Sequence, residues 1–144
     1  MSNILFTFED ITIKEADLEF LRPGEWLNDQ IISFAFAQLE KKLTEILPVR
    51  FLDCCLLSCL RLQMDDDDNE DDLPGFIEGI GLLTSSQFVI PLSNKLDRDT
   101  SSSHWSLLYL DIQKLTAFHF DSMNIGNIKA AEVAVADIFR LLNR

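Results

Sequence analysis

Basic residues are scarce in this 144-residue chain: 12 Lys and Arg stand against 24 Asp and Glu, a net charge of −12. A phosphate backbone is bound by clustered Lys and Arg, so no nucleic-acid partner is expected. Basic proteins or peptide tails are the better electrostatic match. Gly and Pro are few as well, five and four, which excludes a long flexible linker or a collagen-like segment. No apolar run approaches the roughly eighteen residues of a membrane span, and the amino terminus reaches Glu9-Asp10 without a Lys or Arg. The chain therefore reads as soluble and intracellular, cytoplasmic or nuclear, with no membrane partner. Cysteine is limited to Cys54, Cys55 and Cys59, an odd cluster that is no disulfide framework. Cys-Cys-x-x-x-Cys has no second ligand pair to complete a zinc site, so no metal and no cofactor are expected, and the three read as small core residues.

What is present is ordinary globular composition, 47% hydrophobic and 25% charged, in a length that suits one domain, residues 1–144. Seven negative charges fall in the run 65–72, Asp-Asp-Asp-Asp-Asn-Glu-Asp-Asp. Such a run repels itself and reads as a solvated loop, or as a site for a basic partner. It lacks the central Gly, distal Glu and flanking helices of a calcium loop.

Before that loop, Ile11 and Ile13 alternate with polar residues, and Ile4–Phe8 extends a weak strand pattern. Asn28 suits the N-cap of a helix whose apolar residues Ile32, Phe36, Leu39, Leu43 and Ile46 step by three and four, and Pro48 ends it. Asp53 can cap a second helix that carries the cysteines through Leu62. After the loop, a helical stretch around Phe76–Ile80 leads to the apolar run Gln87–Leu92, which fits a buried strand. Ser93–Ser103 is a polar loop. Two aromatic strands follow, His104–Leu110 and Leu115–Asp121, and then an amphipathic helix with Ile128, Ala131, Val135, Ile138 and Leu142 on one face, capped by Asn127. Helices flanking strands give an α+β or α/β domain.

If Asp111–Lys114 is the loop between the aromatic strands, Leu110 pairs with Leu115 and His104 lies opposite Asp121, with Cβ atoms roughly 4.5–5.5 Å apart. A register change of one residue would face His104 with Phe120 or Ser122 instead. A His oriented by an Asp is the base half of a nucleophilic triad, but the same pair can serve structure alone, and His119 could compete for the carboxylate.

His104-Trp105-Ser106-Leu107-Leu108, then Phe118-His119-Phe120-Asp121-Ser122, preceded by Trp26-Leu27-Asn28-Asp29 and Ile31-Ile32, resembles the Ulp/sentrin-type cysteine proteases. These papain-like enzymes process ubiquitin-like modifiers and remove them from substrates. Ser33-Phe34-Ala35-Phe36 looks most like the deneddylase branch, and Asp121-Ser122-Met123 is also seen in the SUMO-directed branch. The resemblance implies an α+β, papain-like fold with helices packed on a small mixed sheet, and a Nedd-type modifier ahead of a SUMO-type one as partner. It implies His104 as general base, Asp121 as its orienting carboxylate, and Trp26 as the roof of a tunnel for the modifier's Gly-Gly tail. Asp29 would contact tail residues just before those glycines, and 93–103 would be a flap.

The family's order continues with an oxyanion-hole Gln and a nucleophilic Cys. No Gln follows Gln113 and no Cys follows Cys59. The fold is thus expected to be incomplete at its C-terminal side and the 144 residues alone inactive, as a fragment of a full protease. The alternatives are a non-catalytic module that binds a modifier and an acidic interaction domain. An apolar surface is expected on the Ile32–Phe36 helix and the inner hairpin face.

Overall fold

The computed structural model describes residues 3–43, 45–57, 59–60, 73–82, 84–94, 104–124 and 126–142. The acidic run 65–72 and most of the expected flap, 95–103, lie outside them. Two short strands, β1 (Ile4–Phe8) and β2 (Ile11–Lys14), form an antiparallel ribbon. Phe6 and Phe8 set their rings edge-on to Phe34 of helix α1 (Asp29–Leu43). A 3-10 turn, Glu15–Leu21, links ribbon to helix. Its Asp17 carboxylate accepts the Lys14 N–H at 2.8 Å and the Asn28 side-chain amide at 2.8 Å, while Asn28 Oδ1 accepts the Ile31 N–H at 3.0 Å. Asn28 is thus the helix N-cap its residue type suggested. The helix stops at Leu43, short of Ile46, which is 76% exposed. Pro48 disfavours helical backbone at the residue before it, and the chain turns early.

The central sheet has four strands in the order β3 (Val49–Phe51), β4 (Gln87–Ser93), β5 (Trp105–Asp111) and β6 (Thr116–Phe120). β3 runs parallel to β4 and the other pairs are antiparallel, so the sheet is mixed. β3 carries no usable sequence signal, because three residues cannot display a period of two. Helix α2 (Leu73–Gly79) precedes β4, and α3 (Ile128–Leu142) follows β6.

The inner face of the sheet is the core. Phe88, Ile90 and Leu92 of β4 and Leu108 and Leu110 of β5 meet Ala131, Ala134, Ile138 and Leu141 of α3. The helix buries a stripe rotated from the expected one, centred on Ala130, Ala131 and Ala134, and Ile128 is exposed. Small side chains let the helix backbone approach the sheet, which outweighs the placement of its largest apolar residues. Exposed apolar surface is only partly where it was expected. Leu39 of α1 is exposed, but Ile32 is buried, as are Leu108 and Leu110 on the inner hairpin face; Leu115, Phe118, Phe120 and Met123 are exposed, Phe118 and Phe120 on the opposite, outer face. The inner face already has α3 to cover it, and the outer face of β6, an edge strand, has no such layer among the described residues.

Candidate active site

The β5–β6 register decides what faces what. The observed pairs are Leu107 with Phe120, Tyr109 with Phe118 and Asp111 with Thr116, so Leu110 meets Ala117 rather than Leu115. Asp111 explains the change: its carboxylate accepts the Lys114 N–H at 3.0 Å and pairs with the Lys114 ammonium at 3.1 Å, so the strand runs on through Asp111 before turning. Leu115 closes the turn at φ 53, a left-handed backbone that a branched side chain seldom adopts. The shift is even, so face parity survives. His104, just before β5, and Asp121, just after β6, become diagonal neighbours on one face, still within reach.

They are joined at 2.5 Å, His104 Nε2 to Asp121 Oδ1, with side chains 6% and 1% exposed. The loop after β6 wraps the carboxylate. Asp121 Oδ1 also accepts the Met123 N–H at 2.8 Å, Oδ2 accepts the Asn127 N–H at 2.7 Å, and the Asp121 carbonyl takes the Asn124 N–H at 3.2 Å. This is the local turn that Asp favours, closed by Asn124 at φ 67. Loss of water alone would raise this carboxyl, but the His104 hydrogen bond and the Asn127 and Met123 amides outweigh it and hold it down at about 2. Asp121 is therefore an anion at any working pH. The other ring nitrogen, His104 Nδ1, is buried with no hydrogen-bond partner among the described residues. Backbone bonds with Asn94 fix the residue in place: the His104 N–H reaches Asn94 Oδ1 at 3.3 Å, and the His104 carbonyl takes the Asn94 N–H at 3.1 Å.

His119 does not compete. Its Nε2 lies 2.9 Å from Ser106 Oγ, across the hairpin. Trp26 is 61% exposed and stands perpendicular to the His104 ring, centroids 6.4 Å apart. Trp105 pins this segment through an Nε1–H bond to the Leu27 carbonyl at 3.0 Å, a role nothing in the sequence announced. Asp29 opens α1, is exposed, and accepts the Gln30 N–H on Oδ1 at 3.1 Å. The fold thus brings His104, Asp121 and Trp26 together, with Asp29 three residues beyond Trp26. Asn127 and Gly126 also border this site, and no motif in the sequence marks them. A Cβ on Gly126 would lie 3.4 Å from His104 Cδ2 and 3.5 Å from Asp121 Oδ2.

Of the cysteines only Cys54 is buried; Cys55 and Cys59 are exposed, against the expectation of three core residues. The exposed pair lies on a helical turn at the protein's surface, where a small apolar side chain gains little from burial. Burial pushes the Cys54 thiol far up, and it sits against Ser33 Oγ at 3.3 Å and the Asp29 carbonyl at 3.6 Å. Burial and the Asp53 charge also raise Cys55. The Cys54 and Cys55 thiols are protonated and unsuited to attack. Donor atoms of Asp53, Cys54 and Cys55 do lie within 4.8 Å of one another. One Asp53 oxygen is taken by the Cys55 N–H at 2.7 Å, and burial opposes the thiolates a metal would need.

No protein-family model matches the chain. It is 27% identical over 140 residues to the sentrin-specific protease 8 of Rattus norvegicus, an alignment covering 93% of this chain and 61% of that protein. It is 23% identical over 150 residues to the NEDD8-specific protease 2 of Schizosaccharomyces pombe, covering 99% of this chain and 35% of that one. Among solved structures, the SUMO protease Ulp1 with its catalytic cysteine oxidized to a sulfenic acid superposes with a TM-score of 0.62 at 18% identity, covering 96% of this chain and 61% of that one. The C-terminal Ulp1 protease domain in complex with Smt3, the yeast ortholog of SUMO, superposes with a TM-score of 0.57 at 16% identity, covering 96% and 62%. The chain spans about three fifths of the length of the sentrin-specific relatives it matches.

Proposed function

We propose, from the chain's similarity to the Ulp/sentrin-type proteases, that it is a member of that family and that His104 and Asp121 are the base and orienting carboxylate of a thiol protease acting on ubiquitin-like modifiers. The observation that carries this reading is the polarity of the imidazole: Nε2 is held by a carboxylate and Nδ1 is buried without a partner among the described residues. Asp121 favours the tautomer with the proton on Nε2, so the Nδ1 lone pair is available to take a thiol proton. The resulting imidazolium keeps its Nε2–H on the anion. In an acyl transfer the thiolate attacks the carbonyl that ends the Gly-Gly tail, and Nδ1–H then protonates the departing amine.

A thiolate and an oxyanion donor complete such a site. In the family these are a Cys and a Gln placed after the Asp, and neither is among these 144 residues. Cys54 and Cys55 are no substitutes: the first is buried, and the thiols of both are pushed up, that of Cys55 in part by the Asp53 charge. In this reading Trp26 roofs the tail and Asp29 contacts the residues before the glycines. A Nedd-type modifier is the first candidate partner and a SUMO-type the second. The NEDD8-named relative and the Ser33–Phe36 segment support that order.

The test has two arms. The 144-residue chain should bind a Nedd-type modifier in calorimetry, more weakly by about tenfold or more in Trp26→Ala, without hydrolysing its fluorogenic C-terminal amide. Joined to the Gln- and Cys-bearing segment of a relative it should hydrolyse that amide, and His104→Ala should abolish turnover. Turnover by the short chain that vanishes in Cys54→Ser or Cys55→Ser would overturn the assignment, as would an active joined chain indifferent to His104→Ala.

A further inference from the structure

Asn127 sits at the start of α3 with 1% of its surface exposed. An asparagine there ordinarily turns its Oδ1 onto the free N–H groups of its own helix. This one faces away. Its Nδ2 donates to the Leu92 carbonyl at 3.1 Å and Ser106 Oγ at 3.0 Å, with the His104 carbonyl at 3.5 Å. Its Oδ1 is buried without a partner among the described residues. The helix forgoes a cap and a buried acceptor goes unsatisfied, two penalties that need an offsetting gain.

The gain lies on the backbone of the same residue, whose N–H holds Asp121 Oδ2 at 2.7 Å. We propose that Asn127 is a positioning residue for the His104–Asp121 pair, its side chain bolting the carboxylate-bearing loop to the strand ends that carry the imidazole. Asp121 is gripped on both oxygens, by His104 and Met123 on one and by Asn127 on the other. Asn127 itself is located by the end of β4 and the start of β5. The carboxylate therefore keeps station with His104 instead of following the loop. Ser106 accepts the Asn127 amide and also bonds His119, which keeps the second imidazole off Asp121. The catalytic consequence rests on the protease reading; the positioning itself does not.

The test is carried out by NMR on the 144-residue chain and needs no turnover, so it succeeds or fails apart from that reading. In the parent chain, the Asn127 and Met123 backbone N–H shifts should titrate together with the Asp121 carboxyl as pH falls, and the His104 Nε2–H signal should be protected from exchange. Asn127→Asp keeps the size and removes the donor; Asn127→Ala removes both. Each should raise the Asp121 midpoint by about one pH unit or more toward the ordinary value near 3.9 and lose the protected His104 signal. Ile138→Val, which loosens the same helix away from the pair, should change neither. A folded Asn127→Asp or Asn127→Ala with parental Asp121 and His104 behaviour overturns the proposal. If both variants fail to fold, the parent decides: amides that follow Asp121 support it, and amides that ignore Asp121 overturn it.

Discussion

Adding one methyl group at Gly126 should loosen the His104–Asp121 pair, and the structure lets its size be worked out. The new Cβ would stand 3.3 Å from the Met123 Cβ, 3.4 Å from His104 Cδ2 and 3.5 Å from Asp121 Oδ2. Ordinary carbon contacts lie at about 3.5–4.0 Å, so the neighbours must yield by a few tenths of an ångström. Overpacking of this kind costs about 1–3 kcal/mol. Replacing Gly also narrows the unfolded ensemble, which returns about 0.4–1 kcal/mol. The net for Gly126→Ala is a loss of about 1 kcal/mol, or a melting temperature lower by about 3 °C in a chain this long. Gly75→Ala is the internal control. Gly75 lies in α2 with nothing within 4 Å of the added Cβ, so only the favourable terms apply and the chain should gain about 0.5–1 kcal/mol. Thermal melts read the two signs. The His104 Nε2–H resonance reads the local effect, since a bond of 2.5 Å weakens when either partner is displaced. A Gly126→Ala chain that melts at or above the parent, with that resonance unmoved, would refute the close packing on which the reasoning depends.

Three further outcomes are expected. Asp121 titrates at about 2 in the fold, below the ordinary carboxylate value of about 3.9. Its contribution to stability is therefore complete above the ordinary value and is lost as pH falls toward 2, and urea melts of Asp121→Asn should lack that part of the acid limb. Leu110 has no exposed surface, and Leu110→Ala should cost about 2–5 kcal/mol in the same melts. Under native conditions a disulfide reagent should label Cys55 and Cys59 well before Cys54, whose thiol is buried and pushed up; mass mapping that finds Cys54 labelled first would contradict its placement.

The signals that could be read in advance were local ones. Asn28 as a cap, the apolar run of β4 and the aromatic alternation of β5 and β6 each declare an element within a few residues, because propensity and burial act on neighbours. Side-chain parity is also local. Moving the loop one residue along the chain shifted every pair by two positions, and because that shift is even it left His104 and Asp121 on one face, where a shift of one would have parted them. Three things depended on segments far apart in the chain. β3 exists because β4 offers it a ladder, since Val49–Phe51 alone has too little pattern to be a strand. The outer face of the hairpin is the exposed one because α3 packs on the inner face through its alanines. Asn127 carries the residue type of a helix cap. Only when β4, β5 and α3 come together do the Leu92 carbonyl and Ser106 Oγ arrive within 3.1 Å of its amide and draw it off the helix. A hydrogen-bonding side chain follows the acceptors nearest in space, and in this fold those lie 21 and 35 residues away along the chain.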